Sequence, residues 1–255
     1  MPHEIVTIPC LSDNYAFLIH DPTTGATALV DAPEPGPILA ELKRRNWTLT
    51  HILLTHHHWD HIDGLPDILA THPAKVIGAK ADAHRLPSLD LAVTEGETFD
   101  FAGEPVSVLD VSGHTVGHIA FHFPDTAAVF TGDSLMAMGC GRLFEGTPAQ
   151  MFDSLTKLAA LPDETTVCSG HEYTTSNCAF AASLGNNDAN VAKRISDTAE
   201  MRAKGMATVP SSLGLEKQTN PFLRSADPAL QKALGIQGAA PVDVFTEVRK
   251  QKDSF

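Results

Sequence analysis

Four histidines and two aspartates fall within "LLTHHHWDHIDG", residues 53–64. Imidazole and carboxylate groups are costly to bury unless something pairs with them. A metal ion is one such partner, and a solvated loop is the plainer alternative. His56 and His58 stand two apart, so an extended chain projects them to the same side. His57 then points away, toward a structural role. Asp60 and His61 follow where the chain should turn, and face a second point nearby. The pattern His-x-His-x-Asp-His therefore offers two pairs of ligands to two adjacent ions. With 13 histidines in 255 residues, chance produces this pattern in roughly two chains per thousand, the usual hazard of a motif match.

Three distant stretches weigh against the loop. His114 sits in "SGHTVGH", Asp133 in "FTGDS" and His171 in "CSGHEY", each next to a glycine that lets the backbone turn tightly. Taken singly, each fits a core or capping role; taken with the cluster, each reads as a ligand. Nitrogen and carboxylate donors without thiolate suit zinc, iron(II) or manganese. Seven donors exceed the four of one tetrahedral zinc, whereas two ions sharing a carboxylate account for them. His56, His58 and His114 would hold one ion, Asp60, His61 and His171 the other, and Asp133 would bridge. His118 and His122 fit supporting or strand positions, and His3, His20, His51, His72 and His84 default to surface or core packing.

The elements that must carry these donors alternate. "EIVTI", "YAFLIHD" and "ATALVDA" read as strands, "PGPILAELKRRN" as a helix, and "LTHILLT" and "AKVIGAK" as strands again. "PVSVLDV", "HIAFHF" and "AAVFTGD" add three strands, "PAQMFDSLTKLAALP" a helix and "TTVCSG" a last strand. Mixing of this kind indicates an α/β architecture. The donors at 56, 114, 133 and 171 each lie just past the end of an expected strand. Strands of shared orientation would gather them along one sheet edge. After Tyr173 the patterning is helical, in "NCAFAASLG", "NDANVAKRISDTAEMRAKGM" and "PVDVFTEVRKQKDSF", with no convincing strand. The expected domains are 1–173 and a helical 174–255.

Composition narrows the function. Hydrophobic content of 43% with 19% charged residues describes an ordinary globular protein. A net charge of -13 argues against a general nucleic-acid binder, which needs a basic surface. No apolar stretch approaches the roughly 20 residues that span a bilayer, and the N-terminal residues do not read as a signal peptide. Four scattered cysteines do not form a disulfide framework, so a reducing cytoplasm is the expected compartment. A serine hydrolase is disfavoured because no G-x-S-x-G appears, and nothing supports Cys140 or Cys168 as a nucleophile.

The four clusters, in this order, resemble the metallo-β-lactamase superfamily. "THHHWDH", "LSDNYAFLI", "GDSLMAMGCGRLFEGT", "GHEYT", "NPFLR" and "VRKQKDSF" resemble, within it, the hydroxyacylglutathione hydrolase (glyoxalase II) family over essentially the whole chain. The resemblance implies a four-layer αββα sandwich with a C-terminal all-helical domain that binds glutathione. It implies two divalent ions, zinc first, on the seven donors named above. The implied reaction is hydrolysis of S-D-lactoylglutathione to D-lactate and glutathione, the second step of methylglyoxal removal. A monomer is expected, with no nucleic-acid or membrane partner. In that reading Asp60 and Asp133 orient a bridging hydroxide, and a bound cation lowers the pKa of its parent water to about 7. Family members bind glutathione through residues matching Arg142, Phe144, Tyr173, Arg249 and Lys252. Some carry Lys and Tyr where this chain has Arg142 and Phe144; the cation is kept, but Phe144 has no hydroxyl. The main rivals are a one-iron persulfide dioxygenase, a nuclease or lactonase of the same superfamily, and a non-catalytic metal binder.

Overall fold

A computed structural model describes residues 2–186 and 188–255. The chain divides into two compact units, Met1–Val111 with Val116–Gly132, and Ser112–Thr115 with Asp133–Phe255.

The first unit opens with β1 (Glu4–Cys10), β2 (Asn14–His20) and β3 (Thr27–Val30). α1 (Pro35–Arg45) follows, with proline in its first turn and Asn46 closing it in the left-handed region at φ 56°. Then come β4 (His51–Leu53), the single turn α2 (Trp59–Ile62), α3 (Leu65–Thr71) and β5 (Lys75–Ala79). Two short strands, β6 (Leu91–Val93) and β7 (Thr98–Phe101), occupy a stretch where the sequence showed only turns. Three and four residues are too few to display a period. β8 (Glu104–Asp110), β9 (Ile119–Phe123) and β10 (Ala128–Gly132) complete the unit.

One sheet runs β1-β2-β3-β4-β5-β6. Its first three strands are antiparallel, and β3 through β6 are parallel. Parallel strands need crossovers, and α1 and α3 supply two of them. Both β2 and β3 are buried along their whole length, as expected for strands covered on both faces. The other strands of the unit pair antiparallel as β10-β9-β8-β7. Aromatic rings join the two sheets: Phe17 of β2 meets Phe130 of β10 at 5.5 Å, and Phe130 meets Phe123 of β9 at 5.6 Å. Edge-to-face pairs of this kind add about 1 kcal/mol each beyond their buried area.

The second unit begins with the two-strand hairpin β11 (Leu135–Met136) and β12 (Gly139–Cys140). α4 (Pro148–Ala159) starts on a capping box, with Thr147 and Gln150 satisfying each other's backbone amides. β13 (Thr166–Ser169) leads into α5 (Thr174–Ser183) and α6 (Ala189–Ala203). The helix expected over 187–206 is the second of these; Asn187 lies outside the described residues. β14 (Ser211–Ser212), α7 (Leu213–Thr219), α8 (Pro228–Ala233) and α9 (Pro241–Ser254) finish the chain. The all-helical expectation for 174–255 needs one correction. β14 pairs antiparallel with β13, Val167 opposite Ser211, and two serines carry no strand signal in a sequence. The helices meet around Phe222 and Phe245, whose rings are 5.5 Å apart. Among the described residues no helix is long and apolar enough to cross a membrane.

Candidate metal centre

The first unit carries four donors. Leaving β4, the chain stays extended to His58, at φ -61° and ψ 142°, and only then coils into α2. His56 and His61 are buried, while His58 and Asp60 are partly so. The His56 ring lies 4.8 Å from that of His58 and 4.2 Å from that of His61. Asp60 Oδ2 is 3.9 Å from His61 Nε2, and Asn14 Nδ2 donates to the same oxygen at 3.1 Å. His57 turns the other way, its Nδ1 2.8 Å from Oδ2 of the fully buried Asp82. Asp82 also accepts from Arg85 Nε.

Asp31 organises this set, and the sequence reading missed it. It sits just past β3 with φ 57°, a left-handed conformation uncommon for a residue with a side chain. Its Oδ1 accepts from the Thr55 amide at 2.9 Å, and its Oδ2 from Thr55 Oγ1 and His61 Nδ1, both at 2.8 Å. Thr55 Oγ1 in turn lies 3.0 Å from His56 Nδ1. The network thus uses the Nδ1 side of both imidazoles and leaves Nε2 as the ligating face, the usual device for orienting a metal-binding histidine. The signal was present, because "LVDA" puts Asp31 past a strand end just as His56 follows β4. His118 stacks on His56 at 4.5 Å and 15°, in keeping with a supporting role. His122 lies on β9 opposite Ser107.

The second unit carries the other three donors. His114 Nδ1 contacts the Arg142 carbonyl at 2.7 Å. Asp133 Oδ2 lies 3.4 Å from His114 Nε2 and 3.2 Å from His171 Nε2. With Nδ1 of His114 donating, its Nε2 aims a lone pair at a carboxylate oxygen. Two such acceptors face to face call for a cation beside them, so the residues fit a metal. Two glycines make room. At Gly132, φ 47°, a Cβ would stand 2.5 Å from Thr55 Oγ1; at Gly141 one would stand 1.9 Å from the Asp133 carbonyl oxygen.

The five expected substrate contacts all lie in the second unit. Tyr173 is 39% exposed and stacks on His171 at 4.7 Å and 7°. Phe144 is 62% exposed, and its ring meets His114 at 5.2 Å. Lys252 Nζ is 3.3 Å from Ser176 Oγ and 5.2 Å from the Phe180 ring. Burial, and then the nearby Arg249 charge, lower its pKa from the ordinary lysine value. Arg249 is 4% exposed and donates to the Cys140 carbonyl at 3.2 Å. Asp253 was not anticipated: its Oδ1 is 2.8 Å from Arg249 Nη2 and 3.9 Å from Arg142 Nε. It tempers the basic spot expected on α9. Burial pushes the Cys140 thiol up to about 11, with Arg249 only partly opposing it, and pushes Cys168 up as well. Neither thiol is a nucleophile at neutral pH.

Residues 12–171 match the family model of the metallo-beta-lactamase superfamily, and residues 172–255 match that of the hydroxyacylglutathione hydrolase C-terminus. A hydroxyacylglutathione hydrolase of Ruegeria pomeroyi is 65% identical over 255 residues, covering all of both chains. This chain belongs to the hydroxyacylglutathione hydrolase family. Two solved structures are also similar to this chain. ETHE1 from Myxococcus xanthus is 26% identical with a TM-score of 0.69, covering 98% of this chain and 90% of that one. TTHA1623, in a di-iron-bound form, is 27% identical with a TM-score of 0.61, covering 86% of this chain and all of that one. The hydroxyacylglutathione hydrolase family therefore accounts for the α/β metallo-β-lactamase fold and the helical C-terminal region together.

Proposed function

We propose that this chain hydrolyses the thioester of S-(2-hydroxyacyl)glutathione, chiefly S-D-lactoylglutathione, to D-lactate and glutathione, the second step of methylglyoxal removal. The observation that carries the reading is the full-length 65% identity to a named hydroxyacylglutathione hydrolase, which includes the helical segment after residue 171. On this reading His56, His58, Asp60, His61, His114, Asp133 and His171 serve one pair of divalent ions. Zinc is the first choice for imidazole and carboxylate donors, with iron and manganese as alternatives; the di-iron form of a structural neighbour supports iron. When bound, such ions supply hydroxide at neutral pH and polarise a carbonyl oxygen.

The chain's own residues do the rest. Asp60 and Asp133 orient the attacking oxygen, with Asn14 steadying Asp60. Arg142 and Lys252 attract the carboxylates of glutathione, and Arg249 braces that corner. The exposed rings of Phe144 and Tyr173 flank His114 and His171 as apolar walls. The leaving thiolate has a conjugate acid of pKa about 8.5, so it departs without a general acid. Residues 1–173 form the catalytic domain and 174–255 the glutathione-binding domain of a cytoplasmic monomer, with neither nucleic acid nor membrane as partner.

The test is loss of thioester absorbance from S-D-lactoylglutathione. Metal-loaded protein is expected to turn the thioester over, and protein stripped by chelator to do so only after metal is returned. Absence of turnover by fully loaded protein would falsify the reading, and oxygen uptake with glutathione persulfide would replace it with the dioxygenase.

A further inference from the structure

The hairpin β11–β12 joins two working ends of the second unit. Asp133 lies just before it and Arg142 just after it. Each strand has only two residues, so the hairpin has little ladder of its own, and Met138 at its turn is held at φ 60°. Buried backbone groups need partners, and here helical side chains from far along the chain provide them. Glu216 of α7 accepts from the Met138 amide at 2.7 Å. Asn220, which caps α7, donates to the Met136 and Gly139 carbonyls at 3.0 and 2.9 Å. Asn177 of α5 donates to the Ala137 carbonyl at 3.0 Å. Glu216 is fully buried, and its charge is met by Arg194 of α6 at 3.0 Å.

We propose that Glu216 is a positioning residue: by fixing the Met138 amide it holds the hairpin in the shape that sets Asp133 and Arg142 for metal and substrate. An ion pair this deeply buried contributes little net stability against an apolar pair of the same size. Its use here is directional, because the carboxylate is the acceptor that the strained turn requires. Asn220 Nδ2, 3.2 Å from Glu216 Oε2, ties the same carboxylate to the two flanking carbonyls. The helical segment thereby acts on the metal side of the unit as well as on glutathione. The link to substrate rests on the thioesterase reading above; the link to the hairpin does not.

The test compares two double variants of the full chain. Arg194→Met/Glu216→Gln removes the charges and keeps an acceptor for the Met138 amide. Arg194→Met/Glu216→Leu removes the acceptor too. The Leu pair is expected to speed hydrogen exchange at Met138, raise KM for the glutathione thioester and weaken metal retention against a chelator, each by roughly tenfold or more, the scale of an outer supporting contact. The Gln pair is expected to stay within about threefold of wild type. Equal exchange, KM and metal retention in the two pairs would overturn the proposal. If the Leu pair does not fold, Asn177→Ala decides. Faster exchange in the hairpin with a raised KM supports the clamp, and wild-type values for both reject it. If the wild type itself shows no turnover, the thioesterase reading fails, while Met138 exchange still judges the clamp.

Discussion

The two units carry their candidate donors differently. In the first, four of them occupy the six residues His56–His61, and one strand end and one helical turn place them all. In the second, His114, Asp133 and His171 come from separate stretches, and their neighbourhood is held by side chains from α5, α7 and α9. A contiguous set inherits much of its geometry from local backbone, with Asp31 holding Thr55 and His61 and Asn14 holding Asp60. A dispersed set needs its surroundings built first, by long-range polar contacts that sequence spacing does not reveal.

That contrast can be broken by substitution. The largest effect is expected from Asp133→Ala, which removes the carboxylate lying against both His114 and His171. It should reduce kcat/KM by more than the roughly 100-fold upper range of supporting residues. A loss below tenfold would show that the dispersed set is dispensable. Next is Asp31→Asn. Asparagine tolerates the left-handed backbone, so the fold should survive. Its amide has one acceptor oxygen where the carboxylate has two, and either Thr55 or His61 loses its bond. Metal affinity by competition should fall about 10- to 100-fold, and an unchanged affinity would remove Asp31 as organiser.

A smaller effect follows from Lys252. Burial and Arg249 lower its pKa, so rising pH strips its charge earlier than from an ordinary lysine, near 10.4. Affinity for an S-alkylglutathione thioether, which cannot be hydrolysed, should therefore decline on the alkaline side before that value. Lys252→Arg, which keeps its charge, should abolish the decline; a decline that persists in the variant would mean another group titrates. The smallest expected change is from Phe144→Tyr. The ring is mostly exposed, so a restored hydroxyl adds at most one hydrogen bond, about 1 kcal/mol or some fivefold in KM. A larger gain would move Phe144 from apolar wall to principal anchor.

The same contrast governs how far the sequence could be read. The longer strands were legible from their apolar runs, and the helices of eleven or more residues because apolar period and terminal residues agree, as in α1 and α4. The seven candidate donors stood out because four crowd into His56–His61 and the other three adjoin Gly113, Gly132 and Gly170. Asp31 escaped because one aspartate after "LV" looks like ordinary turn chemistry, and only its left-handed φ and three bonds distinguish it. Asp82, Glu216 and Asn220 escaped because their partners are backbone or side-chain atoms distant in sequence. β6, β7 and β14 were too short to show a pattern.

The central proposal is that His56, His58, Asp60, His61, His114, Asp133 and His171 hold one pair of ions. Anomalous diffraction from crystals of the metal-loaded protein tests it most directly. Two peaks per chain are expected, with imidazole nitrogens about 2.0–2.1 Å away and ligands drawn from both His56–His61 and the set of His114, Asp133 and His171. A single peak, or peaks bound by one set alone, would contradict the account.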